Sequence, residues 1–182
     1  MQFDRPRDDV GNIVALEHVN VTVPDQRLAT IFYILGMGFT RDPYMHVGDE
    51  NMWANVGRQQ FHLPTRGAQV LRGHVGVVVP DLKALLKRLT AVRQKLAETR
   101  FAFEERADHV EVTSPWGNRM RCYAPAPQFG DMALGVPYVE FAVAHGVAKG
   151  IAGFYREVFA APAELTDGGQ AARVVEIGRA HV

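Results

Sequence analysis

An α+β fold built from paired βαβββ modules, with the start of a third, is what this sequence predicts, and three observations predict it. The octet His-Val-Asn-Val-Thr-Val-Pro-Asp, His18 to Asp25, returns as His-Val-Gly-Val-Val-Val-Pro-Asp, His74 to Asp81. Each copy passes from strict alternation, which suits a strand, through Pro-Asp into apolar residues at helical spacing. Each helical stretch is then followed by short strand-forming runs divided by turn formers.

Residues 1–12 are polar, carry Pro6 and Gly11, and read as a flexible arm. The first module spans 13–66. In its first strand Val19, Val21 and Val23 take one face while His18, Asn20 and Thr22 take the other. Pro24 ends the strand and Asp25 is placed to cap a helix whose Leu28, Ile31, Phe32 and Leu35 form one stripe, stopped by Gly36 and Gly38. Strands are expected near 39–42, 51–56 and 58–63. The second module spans 70–125, with a strand over 74–79 and a helix from Asp81 carrying Leu82, Leu85, Leu86, Leu89, Val92 and Leu96. Its strands fall near 101–104, 109–113 and 119–123, the last two joined by a Gly117-Asn118 turn.

Residues 126–136 have the composition of a linker. A shift of the first module then lays Glu140 on His18, Phe141 on Val19, Val143 on Val21 and Phe154-Tyr155 on Phe32-Tyr33, so 137–175 reads as an incomplete third module and the sequence as a fragment. The stretch from Glu176 to Val182 resembles translated adapter sequence. It is expected to be a non-native tail, which removes His181 from the candidate ligands.

Apolar residues make up 47% of the chain and charged residues 22%, with a formal net charge of zero, so no basic or acidic field points to nucleic acid or a membrane surface. Small molecules are the expected partners. Cys122 is the only cysteine, which excludes an intrachain disulfide and a thiolate metal cluster. With no apolar run long enough to span a bilayer, the expected location is the cytoplasm.

Paired βαβββ modules, a histidine opening each first strand, and a Ser-Pro-Trp-Gly-Asn-Arg turn at 114–119 together resemble the vicinal oxygen chelate superfamily. That group includes glyoxalases, extradiol dioxygenases, fosfomycin-resistance enzymes and bleomycin-binding proteins. The resemblance covers 13–125 and implies two modules packed into a cupped mixed sheet, with metal ligands on the first and last strands of each. By position those ligands are His18, His62 and His74, and Arg121 stands where a glutamate is usual. The implied cofactor is a divalent metal, Fe, Zn, Mn or Ni.

Alternation by itself puts Asn20 beside His18, Gln60 beside His62, and Arg121 beside Tyr123, so these polar groups line one side of the modules whose valine faces are buried. Two readings follow. In the first, three imidazoles hold an ion with an open position, and a lyase, isomerase or dioxygenase acts on vicinal oxygens of a small substrate. In the second, Arg121 repels a cation and clamps an anionic ligand in a metal-free protein of the bleomycin-resistance type, with the histidines as wall residues. Gln60, Asn20 and Tyr123 orient the bound molecule in either case. Trp53, Phe61 and Cys122 are assigned to the core. An uncovered module edge makes a homodimer possible.

Overall fold

The computed structural model describes residues 15–45 and 50–174; the expected arm at 1–12 and the tail at 176–182 lie outside them. The described chain falls into two compact units, 17–141 and the segment from Ala142 onward. The strands and helices of two βαβββ modules lie in the first unit. Module one runs β1 (His18–Asn20), α1 (Gln26–Ala29), β2 (Thr40–Arg41), β3 (Asn51–Val56) and β4 (Gln59–Pro64), in sheet order β1-β4-β3-β2. Module two runs β5 (Gly73–Val78), α2 (Leu82–Val92), β6 (Ala102–Glu105), β7 (Val110–Thr113) and β8 (Arg119–Tyr123). In both modules the first strand runs parallel to the last and the others are antiparallel.

Asp25 and Asp81 cap their helices as the repeat predicts. The Asp25 carboxylate accepts from Leu28 N at 2.8 Å, and that of Asp81 from Lys83 N and Ala84 N at 2.8 and 3.1 Å. The first helix departs from the expected stripe. After α1 it widens into a π-helical segment, Thr30–Gly36, and the extra residue per turn rotates Tyr33 and Gly36 inward while Leu35 is left 49% exposed. Tyr33 then joins Phe39 and Phe61 in the core, its hydroxyl buried without a partner among the described residues.

The two helices lie against each other. A Cβ on Gly36 would sit 3.2 Å from Val92 and 3.7 Å from Leu89, so the absence of a side chain there sets how closely the modules approach. The Ser-Pro-Trp-Gly-Asn turn reinforces this contact between modules. Ser114 Oγ accepts from Asn118 N at 3.0 Å, while the buried Asn118 side chain accepts from Leu71 N and donates to Gln69 O, both at 2.8 Å. The motif thereby ties the last hairpin to the connection between modules.

A strand begins in the last two residues of the stretch read as a linker and runs into the start of the expected third module. β9 (Gly135–Phe141) pairs antiparallel with β5 and extends the second sheet to β6-β7-β8-β5-β9. Two glycines permit this. A Cβ on Gly73 would lie 1.8 Å from Glu140 O, and one on Gly76 would lie 2.3 Å from the Tyr138 ring. In the second unit, α3 (Ala148–Phe159) is followed by a hairpin of β10 (Ala163–Thr166) and β11 (Ala171–Val174), and Arg156 donates to Ala163 O at 2.8 Å. No helix among the described residues is long and apolar enough to cross a membrane.

Candidate functional site

The sheet of each of the two modules buries an apolar face and carries polar side chains on the other. On the first, direct register partners put His18 beside Gln60, and His62 between Asn20 and Trp53. The His18 and His62 rings lie 6.1 Å apart between centroids, and Trp53 stacks on His62 at 3.9 Å. The alternation of buried Met52, Ala54 and Val56 explains why Trp53 faces this side, so its assignment to the core is corrected. Phe61 and Cys122 are core residues as expected, and burial pushes the Cys122 thiol up to about 12.

His62 Nε2 is buried with no hydrogen-bond partner among the described residues, and burial, then the neighbouring His18, holds its pKa below the ordinary imidazole value. A neutral ring with a free nitrogen is what a metal requires. On His18, Nδ1 is engaged by the Glu17 carboxylate, the arrangement that orients a ligating imidazole. Gln60 is held differently. Its amide donates to Asn55 Oδ1 at 2.6 Å and Asp42 Oδ2 at 2.9 Å, which makes it a bracing residue of the sheet.

His74 does not join this pair. It lies in the second sheet, 4% exposed, with Nε2 3.1 Å from the Tyr138 hydroxyl and Nδ1 3.5 Å from Glu140. Both nitrogens therefore have partners. The expected convergence of His18, His62 and His74 is corrected on that ground: helix packing joins the modules and puts their polar faces on separate sheets, and no group of three His, Cys, Asp or Glu able to share an ion occurs among the described residues.

Around His74 the second face is well developed. Glu111, Arg121, Gly76 and Tyr138 stand in one row across four strands. The Tyr138 hydroxyl is 3.0 Å from that of Tyr123, whose ring packs 5.2 Å from Phe129 and 5.4 Å from His109. Arg121 is half-buried, and Glu111 opposite it pairs with Arg106 instead, at 3.6 Å. The guanidinium has no ion pair among the described residues. Tyr138, Glu140 and His109 are site residues that sequence reasoning misses; the alignment of Glu140 on His18 is the signal that points towards the first two.

The His74 pKa is lowered, chiefly by burial, with Arg121 and Arg119 adding to the effect and Glu140 and Glu111 opposing it. The unfolded chain therefore binds more protons than the folded chain between the depressed value and about 6.5, and stability from this residue is lost as pH falls through that window. In urea unfolding at pH 7.5 and pH 5, the wild type should lose more on acidification than His74→Gln. Equal losses would contradict the assignment.

No protein-family model matches the chain, and no curated protein matches it. Among solved structures it is similar to an integron cassette protein from V. cholerae, with 17% identity, TM-score 0.49, and coverage of 64% of this chain and 98% of that one. It is also similar to lactoylglutathione lyase from Agrobacterium tumefaciens (17%, TM-score 0.43, 65% and 97%) and to the fosfomycin resistance protein FosX from Listeria monocytogenes (10%, TM-score 0.49, 63% and 93%). A mutant of that FosX protein was solved with Mn(II) and dihydroxypropylphosphonic acid.

Proposed function

We propose that this chain is a vicinal-oxygen-chelate-type protein that binds a small hydroxylated anion on the polar face of its second sheet. The observation that carries the reading is the unpaired Arg121 guanidinium set in one row with Tyr138 and next to Tyr123. Arg121 supplies a fork for a carboxylate or phosphonate. The tyrosines supply direction. With Nδ1–H of His74 held toward Glu140, Nε2 accepts from Tyr138, whose oxygen accepts from Tyr123, and the Tyr123 oxygen is left to accept from a ligand hydroxyl. A 2-hydroxy acid presents both groups. Titration calorimetry with 2-hydroxycarboxylates and hydroxyphosphonates should show saturable binding that a chelator leaves unchanged and that Arg121→Met weakens about tenfold to a hundredfold. Binding retained in Arg121→Met would remove the proposal.

A second reading, a metal-dependent lyase, isomerase or dioxygenase, is favoured by the first face. There the unpartnered His62 Nε2 and the carboxylate-backed His18 fit two positions of an Fe, Zn, Mn or Ni site, and a bound ion would act as a Lewis acid on vicinal oxygens. This reading needs a third ligand that the second sheet does not provide. Metal analysis of untagged protein checks it: one exchangeable divalent ion per chain, lost in His18→Ala and His62→Ala, is the expected result.

A further inference from the structure

We propose that a cavity at the junction of the two modules binds a small monocarboxylate with a compact apolar body, its carboxylate held by Arg88. None of the residues that line it belongs to the hydroxy-acid or metal readings.

Along α2, Lys83 and Lys87 are exposed, while Asp81, Ala84 and Arg88 follow at i, i+3 and i+7 and line one side of the helix. Facing that side are Met37 and Gly38, where the π-helical segment of the first module ends, Val79 and Pro80, where β5 ends, and Leu134 from the connection to β9. Together they enclose about 200 Å³. Met37 and Val79 are buried and form the floor, whereas Gly38, Pro80 and Asp81 are exposed at the rim, so a ligand can enter from solvent. Backbone contact fixes the wall that Leu134 supplies. A Cβ on Gly57 would lie 2.0 Å from Leu134 O, so the β3–β4 turn sits directly on the connection.

What marks the cavity as a site is its cation. Arg88 Nη2 donates to Met37 O at 3.3 Å, a long bond to a neutral carbonyl. Nε is buried without a partner, and no carboxylate pairs with the guanidinium among the described residues. The absence of a side chain at Gly38 lets the group lie this deep, since a Cβ there would come within 2.6 Å of Nε and 2.7 Å of Cζ. A half-buried cation with so little compensation carries a desolvation cost, which an anion arriving at Nη1 and the remaining Nη2 hydrogen offsets. The rest of the lining selects the body of the ligand. Met37, Val79, Pro80, Ala84 and Leu134 are apolar. An apolar cavity of about 150 Å³ already accepts benzene, so an aromatic ring or a branched aliphatic chain suits this space. Asp81 sets the limit. It lies two helical turns from Arg88, about 10 Å along the axis, with its carboxylate held at the helix start by Lys83 N and Ala84 N. A second carboxylate on the ligand would meet that charge, so dicarboxylates are rejected.

NMR titration of the full chain, isotope-labelled at its methyl groups, with benzoate tests this. Saturable shifts are expected at Met37, Val79, Ala84 and Leu134, with NOEs from the benzoate ring protons to the same methyls. Benzyl alcohol, which keeps the ring and lacks the charge, should bind about tenfold to a hundredfold more weakly, and so should terephthalate. Arg88→Met keeps the stem without the fork and should weaken benzoate to the same extent. Ala84→Leu keeps the cation but fills the cavity, and should block benzoate outright, with circular dichroism confirming that both variants fold. This second variant carries the test if the loss of Arg88 disturbs the junction. Benzoate contacts at the Tyr123 and Tyr138 rings in place of these methyls would overturn the proposal. So would equal affinity for benzyl alcohol or terephthalate, undiminished binding to Ala84→Leu, or no saturable shift at all. The hydroxy-acid reading is tested separately at Arg121 and stands or falls without this cavity.

Discussion

Gly73→Ala should detach β9 from the second sheet and dismantle the ligand face with it. A Cβ at this position would lie 1.8 Å from Glu140 O, 2.7 Å from Glu140 C and 2.9 Å from Phe141 Cα, so the atoms in the way are backbone and cannot turn aside. The φ of 149° adds strain for any residue with a side chain. Overpacking and strain together should cost about 2–5 kcal/mol. Tyr138 and Glu140 would leave His74, and the line of hydroxyls that reaches Tyr123 would end. Hydrogen exchange on the amides of β9, read beside urea unfolding, checks this: protection over Gly135–Phe141 should fall before protection in β8 does. Gly76→Ala provides the contrast, because there the obstruction is the Tyr138 ring at 2.3 Å; β9 should stay in place while the ring moves. Wild-type protection of β9 in Gly73→Ala would show that the seam has room for a side chain and is not closed by backbone contact.

That seam marks the limit of what is legible in the sequence. The repeat of His18 to Asp25 at His74 to Asp81 locates the first strand, the helix start and the capping aspartate of both modules, because alternation and capping are local properties. The polar faces are legible for the same reason. How the modules join is not, since it depends on Gly36 letting Val92 and Leu89 approach and on a π-helical turn that no simple spacing announces. His18 and His74 look equivalent in the repeat and stand on different sheets in the fold. The proline and glycine content of 126–136 conceals the start of β9, where Gln59 Oε1 accepts from Val136 N at 3.1 Å and fixes the strand's entry. Composition reports local freedom, and tertiary contacts override it at this strand.

Phe61→Ala should strongly destabilise the core of the first module, and its effect should reach the first polar face. Phe61 is 1% exposed, stacks on Phe39 at 5.8 Å with an interplanar angle of 10°, and meets Tyr33 at 5.3 Å. Removing the ring leaves a cavity lined by aromatic groups that the close-packed helix and sheet cannot collapse to fill, a loss of about 3–5 kcal/mol. Phe61→Leu should lose much less, because most of the volume is kept. β4 carries Gln60 and His62 on either side of Phe61, so any shift of its backbone also moves the imidazole held between Trp53 and His18. Urea unfolding of the three proteins should give the stability order wild type, Phe61→Leu, Phe61→Ala. The zinc affinity of Phe61→Ala, measured below its unfolding transition, should fall while ligand binding at Arg121 is unchanged, since Arg121 lies on the other sheet. Loss of both together would mean that the two faces form one site.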